Sequence, residues 1–183
     1  MCPIFAQDYN FDLAAVQNEC ISRSKKDKGV VKSNVGGWQS NILFKEDSFF
    51  SHIISNIEFS SIQFARQLKM NEDLKVGGFW ININKFKDYN QYHTHPQSIF
   101  SGVYYIKVPK NSGSIIFKNP SSLGIENNWY YDIKEYNSFN SCVWEINPYE
   151  NKLLIFPGWL EHQVLPNLNC EERITLSFNV VRR

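Results

Sequence analysis

The chain has 183 residues, 43% of them apolar and 20% charged, which is enough to bury a core and too apolar for a disordered chain. Its 19 Lys and Arg residues against 18 Asp and Glu leave a formal charge of +1, so no net field favours nucleic acid or an anionic membrane. No stretch reaches the ~18 consecutive apolar residues of a membrane span, and residues 1–10 lack a signal peptide's basic start and apolar run, so a cytoplasmic protein is expected.

Four cysteines (Cys2, Cys20, Cys142 and Cys170) are scattered without a CxxC pair and are expected as free thiols. No repeat or Pro/Ser-rich linker divides the chain, which reads as one domain over 1–183 with a helical part at 1–75 and a β-rich core at 76–183. A first helix is predicted from about Phe11 to Arg23, capped by Asn10, with Leu13, Val16, Cys20 and Ile21 near one stripe. A second is predicted from about Asp47 to Met70, where Phe50, Ile54, Ile57, Ala65 and Leu68 recur at helical spacing and need a covering surface.

After Lys75 the period changes to two, with Phe79, Ile81 and Ile83 alternating with Trp80, Asn82 and Asn84. Further β-runs are predicted at 99–108, 114–117, 142–146, 152–156, 162–165 and 173–181, separated by Pro, Gly and Asn turns. Seven or eight short strands imply a mainly β sandwich, barrel or jelly roll. In the last run Arg173, Thr175, Ser177 and Asn179 share one face and Ile174, Leu176, Phe178 and Val180 the other. A jelly roll whose cavity holds a polar ligand, with the two helices on the outer sheet face, accommodates both faces.

Three of the four histidines fall in two motifs: His93-Thr94-His95, and His162 closing Phe156-Pro157-Gly158-Trp159-Leu160-Glu161-His162. Residues i and i+2 of a strand project to one side, so His93 and His95 can present two imidazoles to one point and a third can complete a face around a metal. Three ligands on one face of an octahedron leave positions open, as a catalytic Fe(II) requires. The fourth, His52, sits in the second predicted helix. Arg173, eleven residues past His162 and on the polar face with Thr175, suits a carboxylate, its planar fork taking both oxygens and the hydroxyl adding a donor. Glu161 points away from His162 and is expected in solvent.

Taken together, Gly36-Gly37-Trp38-Gln39-Ser40, His95-Pro96 ahead of Ser101-Gly102-Val103-Tyr104-Tyr105, the Gly113 to Pro120 segment, the Phe156 to His162 run with Val164 and Pro166-Asn167, and Arg173 to Asn179 resemble the 2-oxoglutarate- and Fe(II)-dependent dioxygenases. The resemblance covers most of 36–179 and is narrowest to small prolyl-hydroxylase-like members frequent in marine bacteria and tailed phages. It implies a double-stranded β-helix in which His93, His95 and His162 hold Fe(II), while Arg173, assisted by Thr175, pairs the distal carboxylate of 2-oxoglutarate. Tyr105 matches a tyrosine that bonds the same carboxylate in prolyl-hydroxylase-like members, and Asn82 or Asn84 is placed in the cofactor pocket.

The implied reaction is oxidative decarboxylation of 2-oxoglutarate to succinate and CO2, using molecular oxygen, with hydroxylation of an unidentified small molecule or peptide. One departure stands out: the family pattern is HxD or HxE, and His95 occupies the carboxylate position, which puts one more positive charge on the metal centre. Were His95 to turn away, Gln97 or a water would take its place. Trp38, Trp80, Tyr92, Tyr104 and Trp159 are candidate aromatic walls, and the aromatic segment from Leu123 to Asn140 reads as a lid, a homodimer contact or a flap packed on the core. Two rival readings are a non-catalytic cupin-like module that binds a metal or small acid, and a structural jelly roll such as a phage particle component.

Overall fold

The computed structural model describes residues 2–183. Eleven strands and three helices follow in the order β1 (Phe5–Asp8), α1 (Ala14–Ser24), β2 (Asn34–Val35), β3 (Trp38–Gln39), α2 (Ser51–Gln67), β4 (Leu74–Asn84), β5 (Tyr89–His93), β6 (Phe100–Lys107), β7 (Ile115–Lys118), α3 (Ser122–Asn128), β8 (Val143–Ile146), β9 (Lys152–Pro157), β10 (His162–Val164) and β11 (Arg173–Arg182). They form a six-stranded sheet, β1-β9-β6-β11-β4-β3, and a five-stranded sheet, β2-β5-β10-β7-β8. Neighbouring strands pair antiparallel, so the architecture is a mainly β jelly roll.

The alternation of β4 and β11 decides the layering. Ile174, Leu176, Phe178 and Val180 of β11, with Phe79, Ile81 and Ile83 of β4, pack into one core with Val16 and Cys20 of α1 and Ile54, Ile57 and Phe64 of α2. Each fully buried side chain of this kind contributes about 1.5–3 kcal/mol of transfer free energy. The helices therefore cover the outer face of the six-stranded sheet, while Val103, Tyr105, Ile115, Phe117, Leu154, Phe156 and Leu160 pack between the sheets. Glu58 ties α2 to both long strands: the buried carboxylate accepts from the Val76 N–H at 3.1 Å, from Lys45 at 3.1 Å and from Arg183 at 2.9 Å.

The helix bounds differ from those predicted. Asn10 is no cap, because Asn151 binds both the N–H and the carbonyl of Phe11, and the first helix starts at Ala14, whose N–H reaches the Asp12 carboxylate. Helix α2 starts at Ser51, after a turn at 48–50 in which the Phe49 N–H bonds the Asp47 carboxylate and the Phe50 N–H its carbonyl, the carboxylate also pairing with Arg23 of α1. It stops at Gln67 through a Schellman closure: Lys69 adopts φ 56, its N–H bonds the Arg66 carbonyl, and the Met70 N–H bonds Ala65.

Residues 1–75 are also less helical than predicted, since β1, β2 and β3 lie there. These short strands and β5 carry little hydrophobic alternation of their own and are ordered by the neighbours they pair with. The chain crosses from the five-stranded to the six-stranded sheet at Gly36 and Gly37, both in the left-handed region at φ 69 and 64. A Cβ on Gly36 would lie 2.0 Å from Asp88 Oδ1, so only glycine makes this crossing. No helix among the described residues is long and apolar enough to cross a membrane, and the four cysteines are unpaired.

Candidate metal and cofactor site

Strand β5 ends on His93 and β10 begins on His162, and the two residues stand directly opposite each other in the ladder. His95 follows two residues beyond the end of β5. The His93 and His162 rings are 4.3 Å apart between centroids, and His95 lies 5.0 Å from His93 and 5.2 Å from His162. One potential ligand nitrogen from each lies within 4.8 Å of the others.

Two of these rings are oriented by the backbone. Nδ1 of His93 lies 2.7 Å from the Gln91 carbonyl oxygen and Nδ1 of His162 lies 2.8 Å from that of Leu160. A carbonyl only accepts, so each Nδ1 carries the proton and each Nε2 keeps its lone pair for a metal. Burial lowers the pKa of all three rings: His93 falls below the usual histidine range, His95 to about 4 and His162 to about 3, the last two further lowered by the neighbouring His93. Three neutral imidazoles with converging lone pairs fit a divalent first-row metal, as a set of protonated rings would not.

Arg173, which lines the same cavity, opens β11 opposite Asn84 of β4. Only 1% of it is exposed. Its Nη1 donates to the carbonyls of Ser112, Gly113 and Leu165, while Nε and Nη2 have no hydrogen-bond acceptor among the described residues. Burial lowers its pKa to about 10, against the pull of Tyr105 and Asp88, so it remains a cation at neutral pH. A buried cation with two uncommitted donors and no paired carboxylate is set up for an anionic ligand.

A cross-strand row lies two residues along β11 from Arg173: Tyr105 of β6, Thr175 of β11, Asn82 of β4 and Gln39 of β3 are successive register partners. The Asn82 amide nitrogen donates to Ser177 Oγ at 2.9 Å, and its Oδ1 is buried without a partner. Burial raises the Tyr105 phenol well above its usual range, which keeps it a neutral donor. The histidines, Arg173 and this row line one cavity of about 910 Å³, and no Asp or Glu side chain is among the lining residues.

The structure thus brings together His93, His95, His162, Arg173, Thr175, Tyr105, Asn82 and Asn84. Of the candidate aromatic walls it places only Trp80 and Tyr92 there. Tyr104 faces the other side of its strand, its hydroxyl on Asn151, Trp38 bonds the Asp27 carbonyl, and Trp159 is 58% exposed. Gln97 does not line the cavity. It is the exposed left-handed residue (φ 68) of a turn closed by the Ser98 N–H on the His95 carbonyl. The segment from Leu123 to Asn140 contributes no lining residue either, lying between β7 and β8 at the far edge of the five-stranded sheet. Glu161 faces outward to Lys118 at 3.2 Å. Gln39 was visible only as part of a motif, and its place in the wall follows from the crossing at Gly36 and Gly37.

Residues 78–179, more than half of the chain, match the family described as "Putative 2OG-Fe(II) oxygenase". The chain belongs to this family of 2-oxoglutarate- and Fe(II)-dependent oxygenases, whose cofactors are Fe(II) and 2-oxoglutarate and which use molecular oxygen and an organic substrate. No curated protein sequence matches it. Among solved structures it is similar in fold to a Pseudomonas putida prolyl-4-hydroxylase, at 13% identity and TM-score 0.69 over 100% of this chain and 94% of that one. It is likewise similar to the viral collagen prolyl hydroxylase of Paramecium bursaria chlorella virus-1 in its 2-oxoglutarate complex, at 13% identity and TM-score 0.59 over 97% and 94%. A third likeness, to HygX of Streptomyces hygroscopicus with nickel and 2-oxoglutarate bound, has 9% identity and TM-score 0.63 over 99% and 83%.

Proposed function

We propose that residues 1–183 act as one oxygenase unit in which His93, His95 and His162 hold the Fe(II) and Arg173 receives the distal carboxylate of 2-oxoglutarate. The observation that carries this reading is the opening of three neutral imidazoles and one buried, unpaired guanidinium into a single cavity. Bound iron and 2-oxoglutarate would supply the oxidising chemistry, in which one O2 is consumed, one oxygen atom going into succinate as the oxo acid loses CO2 and the other into a hydroxylated C–H bond of the substrate.

The chain's part is binding and orientation. The Gln91 and Leu160 carbonyls aim the His93 and His162 lone pairs at one point. Arg173 is held by three backbone carbonyls so that Nε and Nη2 meet a carboxylate without rearrangement, with the Thr175 and Tyr105 hydroxyls beside it. Asn82, its amide nitrogen committed to Ser177 Oγ, would offer its unpartnered Oδ1 to a donor in the cavity. Trp80 and Tyr92 supply apolar surface that limits water near the metal. The free thiols agree with work in a reducing compartment such as the cytoplasm.

Adding Fe(II) and 2-oxoglutarate to the purified protein without oxygen is expected to give a visible metal-to-ligand charge-transfer band, and admitting air to release succinate. A protein that binds both and never forms succinate would be a binding module, and one that binds neither would overturn the proposal.

A further inference from the structure

The three histidines are not held alike. His93 and His162 each commit Nδ1–H to a backbone carbonyl at 2.7 and 2.8 Å, which fixes both ring angle and tautomer. Neither ring nitrogen of His95 has a hydrogen-bond partner among the described residues, and its ring neighbours those of His93, His162 and Trp80, the last at 5.8 Å between centroids.

The His95 backbone, by contrast, is pinned. Its N–H bonds the Gly158 carbonyl at 2.8 Å, and its carbonyl closes the turn to Ser98 at 3.3 Å. What no hydrogen bond restrains is the angle of the side chain. A carboxylate at this position would bring a negative charge to hold the cation, whereas His95 brings a neutral ring with no partner to orient it.

Resting on the ligand set proposed above, we infer that the metal site is built as two plus one. His93 and His162 are the fixed pair, and His95 is an adjustable third ligand that can leave and return while the other two stay. The uncommitted His95 N–H exchanges with solvent, whereas the His162 N–H is protected by a buried bond to the Leu160 carbonyl, and the His93 N–H is held by an exposed one.

The test loads apoprotein with Co(II) and reads metal affinity by visible absorption, without any turnover. Orienting partners of a metal-bound histidine are typically worth about 10–100-fold in affinity, so His93→Ala or His162→Ala is expected to cost about 10–100-fold more than His95→Ala. His162→Gln serves as the alternative should the buried alanine variant not fold. In the wild-type Co(II) protein, proton NMR is expected to show a hyperfine-shifted His162 N–H signal that persists in D2O, a His93 signal that exchanges more slowly than that of His95, and a His95 signal that is lost first. If His95→Ala costs as much as the other two substitutions, or three N–H signals persist, the two-plus-one inference falls while the ligand set stands. If none of the substitutions weakens Co(II) binding, the ligand set itself falls.

Discussion

Replacing Arg173 by methionine removes the guanidinium and keeps a side chain of similar length. In the wild type Nε and Nη2 are free for a ligand while Nη1 is spent on Ser112, Gly113 and Leu165. Two charge-assisted hydrogen bonds at about 1.5–3 kcal/mol each total roughly 3–6 kcal/mol. At 1.4 kcal/mol per tenfold, the affinity for 2-oxoglutarate should fall by roughly two to four orders of magnitude.

The effect on folding is a balance: each of the three carbonyls left unpaired costs about 1–3 kcal/mol, and the desolvation penalty of a buried cation disappears with the guanidinium. The assay is anaerobic titration of the Fe(II) protein with 2-oxoglutarate, read by the charge-transfer band, in parallel with 2-oxobutyrate, which lacks the distal carboxylate. Arg173→Met is expected to abolish the wild type's preference between the two acids and to leave Fe(II) affinity unchanged. A variant that keeps wild-type affinity for 2-oxoglutarate, or loses affinity for both acids by the same factor, refutes the role given to Arg173.

Two further outcomes follow from the packing and the charges. Gly102 of β6 lies so close to its neighbours that a Cβ would sit 2.2 Å from Phe178 Cζ and 2.4 Å from the Leu154 carbonyl oxygen. Gly102→Ala should therefore destabilise the protein by about 1–3 kcal/mol in denaturant unfolding, and an unchanged midpoint would contradict the packing of β6 on its neighbours. Burial by itself would raise the Glu58 carboxyl, but the Val76 N–H, Lys45 and Arg183 hold it below the usual glutamate range. A carboxyl lowered on folding contributes stability above its unfolded pKa and loses it as pH falls, so the advantage of the wild type over Glu58→Gln should be full above about pH 5 and shrink below about 4.3. Thermal midpoints measured from pH 7 to pH 3 check the sign, and parallel curves for the two proteins would contradict it.

Much of this was legible in the sequence because it depends on short-range pattern. The two-residue period of 79–84 and 173–181 separated an apolar face from a polar one, and those faces became the helix-covered core and the cavity wall. His93 and His95 are two residues apart, so their proximity was visible without a fold. Where the reading of the first helix's start failed, a distant partner decided: Asn151 binds both polar backbone groups of Phe11.

What the sequence by itself determined was the alphabet of the site, namely three imidazoles, one guanidinium and a polar strand face, and the mainly β architecture that alternation of apolar residues enforces. Only the tertiary structure decided which residues meet. His162 faces His93 because β10 pairs with β5 across a long separation in the chain. Gln39 joins the wall because two glycines let the backbone change sheets. The aromatic 123–140 segment stays away from the cavity because β8 lies at the opposite edge of its sheet. The reason is physical: side-chain direction along a strand is a local property of the backbone, whereas strand order is set by how the whole chain buries its apolar faces.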